Sequence, residues 1–137
     1  MERVTRPGGY VEMVDMQQFP VTESPAYNRV LKAAADLVQK RGMQTGVEHT
    51  LKGYLEQAGL QRIQERAFHV GTGRQQSREQ RLLISDLLAG HRNLKGALVK
   101  LGYFSEAEFD ELMHGEEQEL PRYGVYLPVI YTFGRKP

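Results

Sequence analysis

Apolar and polar positions alternate in three segments of the chain, which predicts three β-strands. In the first, Tyr10–Met16, Val11 and Met13 fall on one face and the other face is also largely apolar. Such a pattern is typical of a strand covered on both sides. The segment Gln61–Val70 has more polar positions and is expected to be a more exposed strand. Residues 125–133 alternate regularly and predict the third strand.

Apolar residues recur at helical spacing between these strands, which predicts two helices after the first strand and two after the second. Ser24, followed by Pro25, is a typical helix start, and Gly42 is placed to end that helix. The second helix is expected over residues 47–58, with Leu51, Tyr54 and Leu55 buried.

The third and fourth helices begin at capping boxes, in which a serine and a residue three positions later cap each other. Ser77 begins the third helix, and Gly90 marks a point at which this helix could break. Ser105 begins the fourth, where Phe104 and Phe109 occupy the two positions of a hydrophobic staple. We expect this helix to end by residue 121, which is a proline.

The composition limits the classes of function. A length of 137 residues, with 40% hydrophobic and 26% charged residues, fits one globular domain spanning residues 1–137. The net charge of +1 gives no electrostatic reason to expect nucleic acid as a partner. There is no cysteine, and no two histidines have the spacing of a zinc site, so no metal is expected. No apolar run suggests a membrane span or a signal segment, and we expect a cytoplasmic protein.

Four short motifs occur in a recognisable order. Residues 6–15 read RPGGYVEMVD, residues 55–65 read LEQAGLQRIQE, and residues 129–137 read VIYTFGRKP. In this order they resemble the C-terminal half of a class I S-adenosylmethionine-dependent methyltransferase. With LGYFSEAEF at residues 101–109, the chain is most similar to fungal methyltransferases related to regulators of secondary metabolism. The resemblance implies that the last strand inserts beside the first and runs antiparallel to the second.

The resemblance also implies that the cofactor-binding N-terminal half is absent. The glycine-rich turn and the acidic residue that hold the cofactor in this family have no counterpart in these residues. Gly71-Thr72-Gly73 follows a strand but lacks the third glycine of a nucleotide-binding turn. No cofactor is therefore expected for this chain alone, and S-adenosylmethionine only where a partner supplies the missing half.

The expected fold class is α/β, a truncated Rossmann-like remnant with a three-stranded mixed sheet and about four helices. The Tyr10 strand would lie at the edge of this sheet. Because an apolar edge strand invites uncontrolled pairing, we expect it to be covered. The expected partner is a second copy, giving a homodimer, or a complementary N-terminal half.

Two residues are candidates for catalysis. His69 lies on a mainly apolar strand face near the strand's end, where it could act as a general acid or base. A histidine hydrogen-bonded in the core explains the same pattern. Asp15 lies at the end of the first strand, which in the family lines the substrate pocket. The resemblance therefore implies that Asp15 and Gln17 are pocket residues.

Seven residues are candidates for binding a hydrophobic small molecule. In the family, the helices between the last two strands form a lid over such a substrate, and the end of the first strand described here lines its pocket. They are Glu12, Gln17, Tyr27, His91, Arg92, Tyr103 and Tyr126. Structural roles also fit: core packing for the tyrosines, an ion pair for Glu12, and a solvated helix face for His91 and Arg92.

Three functions remain open from the sequence. The chain could be the substrate-binding half of a small-molecule methyltransferase, acting on a secondary metabolite and unable to bind S-adenosylmethionine alone. It could be a cofactor-independent cyclase or isomerase that works by positioning and hydrogen bonding. It could also be a non-catalytic binding or assembly module, since fold does not fix function.

Overall fold

The computed structural model describes residues 5–16, 19–43, 50–71 and 77–137. These form three strands and four helices, in the order β1 (Tyr10–Met16), α1 (Pro25–Lys40), α2 (Leu51–Gln57), β2 (Gln61–Val70), α3 (Arg78–Lys100), α4 (Glu106–Tyr123) and β3 (Leu127–Arg135). The predicted order of elements is confirmed. The chain divides into two compact units. The described residues of 1–18, 44–70 and 127–137 form unit 1, and those of 19–43 and 71–126 form unit 2.

Unit 1 is built on an open three-stranded sheet with strand order β1-β3-β2. The last strand lies beside the first and runs antiparallel to the second, as predicted. The expectation of a mixed sheet is wrong, because both hydrogen-bonded strand pairs are antiparallel. Strands β1 and β2 point the same way but do not pair with each other, since β3 separates them. The register shifts between Gln61 and Gln64, which marks a bulge in β2.

A small core lies on one face of this sheet, under the short helix α2. Val11, Leu55 and Leu60 are buried there. Gly134 of β3 permits a close approach, since a Cβ atom built on it would lie 3.0 Å from Ile63 and 3.1 Å from Leu60.

The other face of β1 is exposed, with Tyr10, Val14 and Met16 more than half accessible to solvent. The prediction that β1 is covered on both faces is therefore wrong for the chain by itself. Strand β2 is exposed along almost its whole length, as its polar pattern predicted.

Unit 2 consists of α1, α3 and α4 around an apolar core. The core contains Tyr27, Val30, Ala33, Leu37, Ile84, Leu88, Leu98, Phe104, Phe109, Met113, Leu120 and Val125. The predicted helix starts are confirmed. The side chains of Ser24, Ser77 and Ser105 each accept a hydrogen bond from a backbone amide of the first turn. The reciprocal capping box of α4 is complete, and Phe104 packs near Phe109 with ring centroids 6.2 Å apart.

Three local expectations are wrong. Helix α3 runs through Gly90 without a break, because its apolar stripe continues to pack on both sides of that residue. Helix α4 continues past Pro121 to Tyr123, since buried Leu120 holds the last turn and its carbonyl accepts from Gly124 N at 2.9 Å. Tyr54 is 46% exposed rather than buried. Of the predicted second helix, residues 47–49 lie outside the described residues.

Two glycines of unit 2 should respond oppositely to the same substitution. A Cβ on Gly90 meets nothing within 4 Å, so Gly90→Ala should stabilise the fold by up to about 1 kcal/mol through helix propensity. A Cβ on Gly115 would lie 2.9 Å from the Cβ of Ala26, so Gly115→Ala should destabilise by roughly 1–2 kcal/mol despite the same propensity gain. Urea denaturation of both variants measures the difference. If both variants were stabilised equally, Gly115 of α4 would not lie against Ala26 of α1.

Candidate functional site

Unit 2 buries a histidine and a glutamate in its core. His91 of α3 follows Ile84 and Leu88 on the inward face of that helix. Glu116 of α4 lies between Met113 and Leu120 on the corresponding inward face. Helical periodicity therefore carries both polar side chains into an apolar interior, where each needs a partner.

The two side chains bind each other. His91 Nδ1 lies 2.9 Å from Glu116 Oε1 and 3.0 Å from Oε2. Their side chains are 7% and 0% exposed, so water does not screen the contact. Because a carboxylate only accepts hydrogen bonds, the contact keeps the proton of a neutral His91 on Nδ1. This histidine–carboxylate pair is the kind of arrangement that orients an imidazole in many acid–base sites.

Tyr27 of α1 completes a three-helix cluster. Its ring stacks on the imidazole of His91 with centroids 4.5 Å apart and an interplanar angle of 22°. Tyr27 is 1% exposed. Burial raises the pKa of its phenol well above the ordinary value, and the negative charge of Glu116 raises it further. We call Tyr27, His91 and Glu116 the buried cluster.

The start of α1 is fixed to α4 by a second carboxylate. Ser24 Oγ donates to Glu119 Oε2 at 2.7 Å, and the amide of Ala26 donates to the same oxygen at 3.0 Å. Ser24 Oγ also accepts from the amide of Tyr27 at 3.1 Å. An anion at a helix N-terminus is favoured by the helix dipole as well as by these hydrogen bonds. The contacts hold the backbone of Tyr27 in place and so position its ring.

An open groove lies between α3 and α4. Its volume is about 410 Å³, and its wall contains Gln80, Arg81, Ile84, Ser85, Leu88, Arg92, Glu117 and Pro121. Ile84, Leu88 and Pro121 make part of this wall apolar. Arg92 Nη2 donates to Glu117 Oε1, and both side chains are about half exposed. The structure therefore places Arg92, one of the residues predicted to bind substrate, in a groove that a small molecule could enter.

Tyr103 and Tyr126 do not join this groove. The hydroxyl of Tyr103 donates to Asp36, whose pKa is held below its ordinary value by hydrogen bonds from Lys40 and Tyr103. Tyr103 lines a separate groove of about 530 Å³, together with Lys40 and Arg41. Tyr126 is 37% exposed, and its backbone pairs with that of Val21 at 2.8 and 3.1 Å.

The two residues predicted to be catalytic belong to unit 1. His69 is exposed, which corrects the expectation of an apolar setting, because β2 has no strand on its outer side in the described residues. Asp15 accepts from the amide of Met16 at 2.8 Å. Both lie on the same face, but β3 stands between their strands, which separates them by on the order of 10 Å. They do not form a hydrogen-bonded dyad.

Glu12 lies on the exposed face of β1 and forms a hydrogen bond with the hydroxyl of Tyr131. This bond raises the pKa of Tyr131, with burial and the charge of Glu12 as further causes. Glu12 thus has a side-chain partner on the neighbouring strand instead of a place in a described pocket. Gln17, which the sequence also placed at the substrate, lies outside the described residues.

Sequence analysis identified Tyr27 and His91 but missed the acid that joins them. The sequence carries a signal for Glu116, since it follows Phe109 and Met113 at the spacing of one helical face. A glutamate at such a position requires a buried partner. The carboxylate of Glu119 had no comparable signal, because its partner is the start of α1, far away in sequence.

The described residues contain neither a candidate metal site nor a candidate membrane span. No group of three or more histidine, aspartate or glutamate side chains is arranged to hold a metal ion among them. None of the described helices combines the length and the apolarity that crossing a bilayer requires.

The buried phenol gives a stability that depends on pH. In the unfolded chain Tyr27 ionises near pH 10, whereas in the fold its raised pKa keeps it protonated. Its contribution should be complete below pH 10 and should decline as the pH rises further. Urea denaturation between pH 8 and about 11 should show a steeper loss of stability for the wild type than for Tyr27→Phe. Equal slopes would show that the phenol is not buried.

The buried pair should be strongly coupled, unlike the exposed pair beside it. His91→Ala and Glu116→Ala should each destabilise by roughly 3 kcal/mol, because each leaves its partner buried and unpaired. The double variant should cost much less than the sum. The control is the cycle of Arg92→Ala and Glu117→Ala, where coupling should stay below about 0.5 kcal/mol. Additive costs at His91 and Glu116 would contradict the contact.

Comparisons with known proteins do not assign the chain to a family. No protein-family model matches it, and a search of curated proteins finds no match. The resemblance to class I methyltransferases therefore stays a prediction from the motifs. The function has to be argued from the grooves and clusters described above.

Proposed function

We propose that the chain is the substrate-side part of a class I methyltransferase-like protein and binds an apolar small molecule, such as an aromatic secondary metabolite. The motifs imply that the last strand inserts beside the first and runs antiparallel to the second. The strand order β1-β3-β2, with β3 antiparallel to both neighbours, agrees with that expectation and so supports this ancestry. The groove between α3 and α4 carries the functional part of the proposal, since it lies within the helices that the resemblance assigns to the substrate.

The chemistry of the groove favours a neutral aromatic ligand with a hydroxyl group. Ile84, Leu88 and Pro121 offer apolar surface to a ring. At the rim, the guanidinium of Arg92 and the carboxylate of Glu117 form one ion pair. A hydroxyl group that approaches this pair can accept from the guanidinium and donate to the carboxylate. Because a carboxylate accepts hydrogen bonds only, Glu117 favours a ligand that carries a donor hydroxyl over one whose polar group is an acceptor alone.

The proposal assigns binding to this chain and leaves methyl transfer to an assembly with a cofactor-binding part. The 137 residues contain no glycine-rich turn followed by an acidic partner of the kind that holds S-adenosylmethionine in this family. When bound by such a part, the cofactor would supply the methyl group. The groove residues of this chain would orient the acceptor hydroxyl.

A cyclase or isomerase acting without a cofactor is a weaker candidate. It needs an acid–base group that touches the substrate. The buried cluster has suitable groups, but Tyr27, His91 and Glu116 are at most 7% exposed and line neither of the two grooves described above. A substrate would reach these buried groups only if the helices around them moved apart. Ligand binding in the open groove between α3 and α4 requires no such movement.

Titration with 2-naphthol, followed by amide NMR spectra, tests the proposal. This probe has two fused apolar rings and one hydroxyl group, and it is neutral at pH 7. The largest shifts are expected in α3 between Gln80 and Arg92 and in α4 between Glu117 and Pro121. Shifts confined to unit 1, or no saturable shifts, would overturn the proposal.

Variants of the groove separate its apolar and polar contributions. Ser85→Trp should fill the groove and abolish saturable binding, because Ser85 is exposed and lines it. Arg92→Ala should weaken binding by roughly 3- to 10-fold through the loss of one charged hydrogen bond. Lys32→Ala, which removes an exposed cation of α1, serves as the control and should leave binding unchanged. Equal binding by Ser85→Trp and the wild type would contradict this site.

A further inference from the structure

One face of the sheet in unit 1 is unusually apolar and exposed. On β1, Tyr10, Val14 and Met16 are 56%, 61% and 55% exposed. On β2, Phe68 and Val70 are 47% and 42% exposed. Scattered apolar side chains on a surface need no explanation, but a contiguous patch of them marks an interaction surface.

The strand register shows that these side chains share one face. Met16 pairs with Val129, and Val129 pairs with Phe68 on the other side. One step along, Val14 pairs with Tyr131, which pairs with Arg66. Directly paired residues of antiparallel strands point to the same side. We call this surface, made of the even-numbered residues of β1 and their register partners, the open face.

The open face is large enough to form an interface. Five apolar side chains, each about half exposed, together present on the order of 400–500 Å², comparable to the largest patch on an ordinary monomer. The polar residues between them extend the surface toward the roughly 800 Å² per partner of a standard interface. The small core under α2 lies on the opposite side of the sheet and does not cover this face. Of the open-face residues named above, Val129 on the central strand is buried, and the exposed apolar surface comes from the two flanking strands.

Charge on the open face is arranged in a self-complementary way. Glu12 lies on β1, Arg66 lies on β2, and Tyr131 stands between them on β3. The Glu12 carboxylate and the Arg66 guanidinium both act on Tyr131, with opposite effects on its pKa. Acid and base thus occupy opposite flanks of the central strand.

We propose that a second copy of this chain packs on the open face through a two-fold axis parallel to β3. This axis places β1 of one protomer over β2 of its partner. In this arrangement Glu12 lies over Gln64 of the partner subunit, and Arg66 of the partner subunit lies two residues further along the same strand. The long side chain of an arginine can span this diagonal, so each Glu12 can pair with the partner's Arg66. Met16 lies over the partner's Phe68, so the apolar ends of both faces meet.

The alternative two-fold axis, perpendicular to the strands, fits less well. It places β1 of one protomer over β1 of the other, so that the flank carrying Glu12 meets the same acidic flank and not the β2 flank that carries Arg66. Like charges that face each other across an interface are unfavourable. The charge pattern therefore selects the arrangement with the axis parallel to β3. This inference is independent of the ligand-binding proposal, because it uses only residues of unit 1.

Sedimentation velocity over a range of concentrations tests the proposal with a charge swap. The wild type should be dimeric at about 100 µM. Glu12→Arg and Arg66→Glu should each weaken association by roughly 10-fold or more, because each places like charges across the interface. The double variant Glu12→Arg/Arg66→Glu reverses both members of each pair and should restore association to within about 3-fold of the wild type.

Two further variants make the result decisive. Val14→Lys adds a charge to the middle of the open face and should give a monomer whose far-UV circular dichroism is unchanged, because Val14 is 61% exposed. Glu56→Arg reverses an exposed charge on α2 and should leave the dimer intact. A monomeric wild type at about 100 µM, or a dimer indifferent to Val14→Lys, would overturn the proposal. Failure of the double variant to recover would refute the β1-over-β2 arrangement.

Discussion

The carboxylate of Glu116 is the constraint around which unit 2 is organised. A buried charge without water must have a partner, and His91 supplies it through two contacts near 3 Å. The imidazole in turn presents a flat surface on which Tyr27 stacks. Each of the three helices thus contributes one member, and sliding any of them along its neighbours would break either the His91–Glu116 hydrogen bond or the Tyr27–His91 stacking. Apolar packing alone would tolerate such a shift more readily.

Local signals predicted a large part of the fold. The serines at positions 24, 77 and 105 begin helices as expected, because a cap acts within one turn and is visible in the sequence. The continuity of α3 at Gly90 was not predictable in this way. A single glycine lowers helix propensity only slightly, and the packing of a 23-residue helix outweighs that cost. The antiparallel pairing depends on which strands are neighbours, a property that no local pattern contains.

The candidate site was predicted only in part, for the same reason. His91 and Tyr27 were identified as residue types suited to a pocket, yet they meet in a closed interior. Arg92, one position further along α3, points instead to an open groove. Neighbouring residues of a helix face directions about 100° apart. Once one side of α3 is buried, His91 therefore faces the core and Arg92 faces the groove. Which side becomes buried depends on α1 and α4, and the sequence of α3 alone does not contain that information.

The central position of β3 has a consequence for the order in which the molecule can form. This strand follows every other element in the sequence, and it pairs with a strand more than 100 residues before it. In the described part of the chain β1 and β2 do not pair with each other, because β3 lies between them. The contact between α3 and α4, by contrast, closes a short loop and costs little chain entropy. During synthesis the helical pair can therefore form first, whereas β1 and β2 stay unpaired until β3 has been made, and the apolar side chains of β1 are exposed for that time.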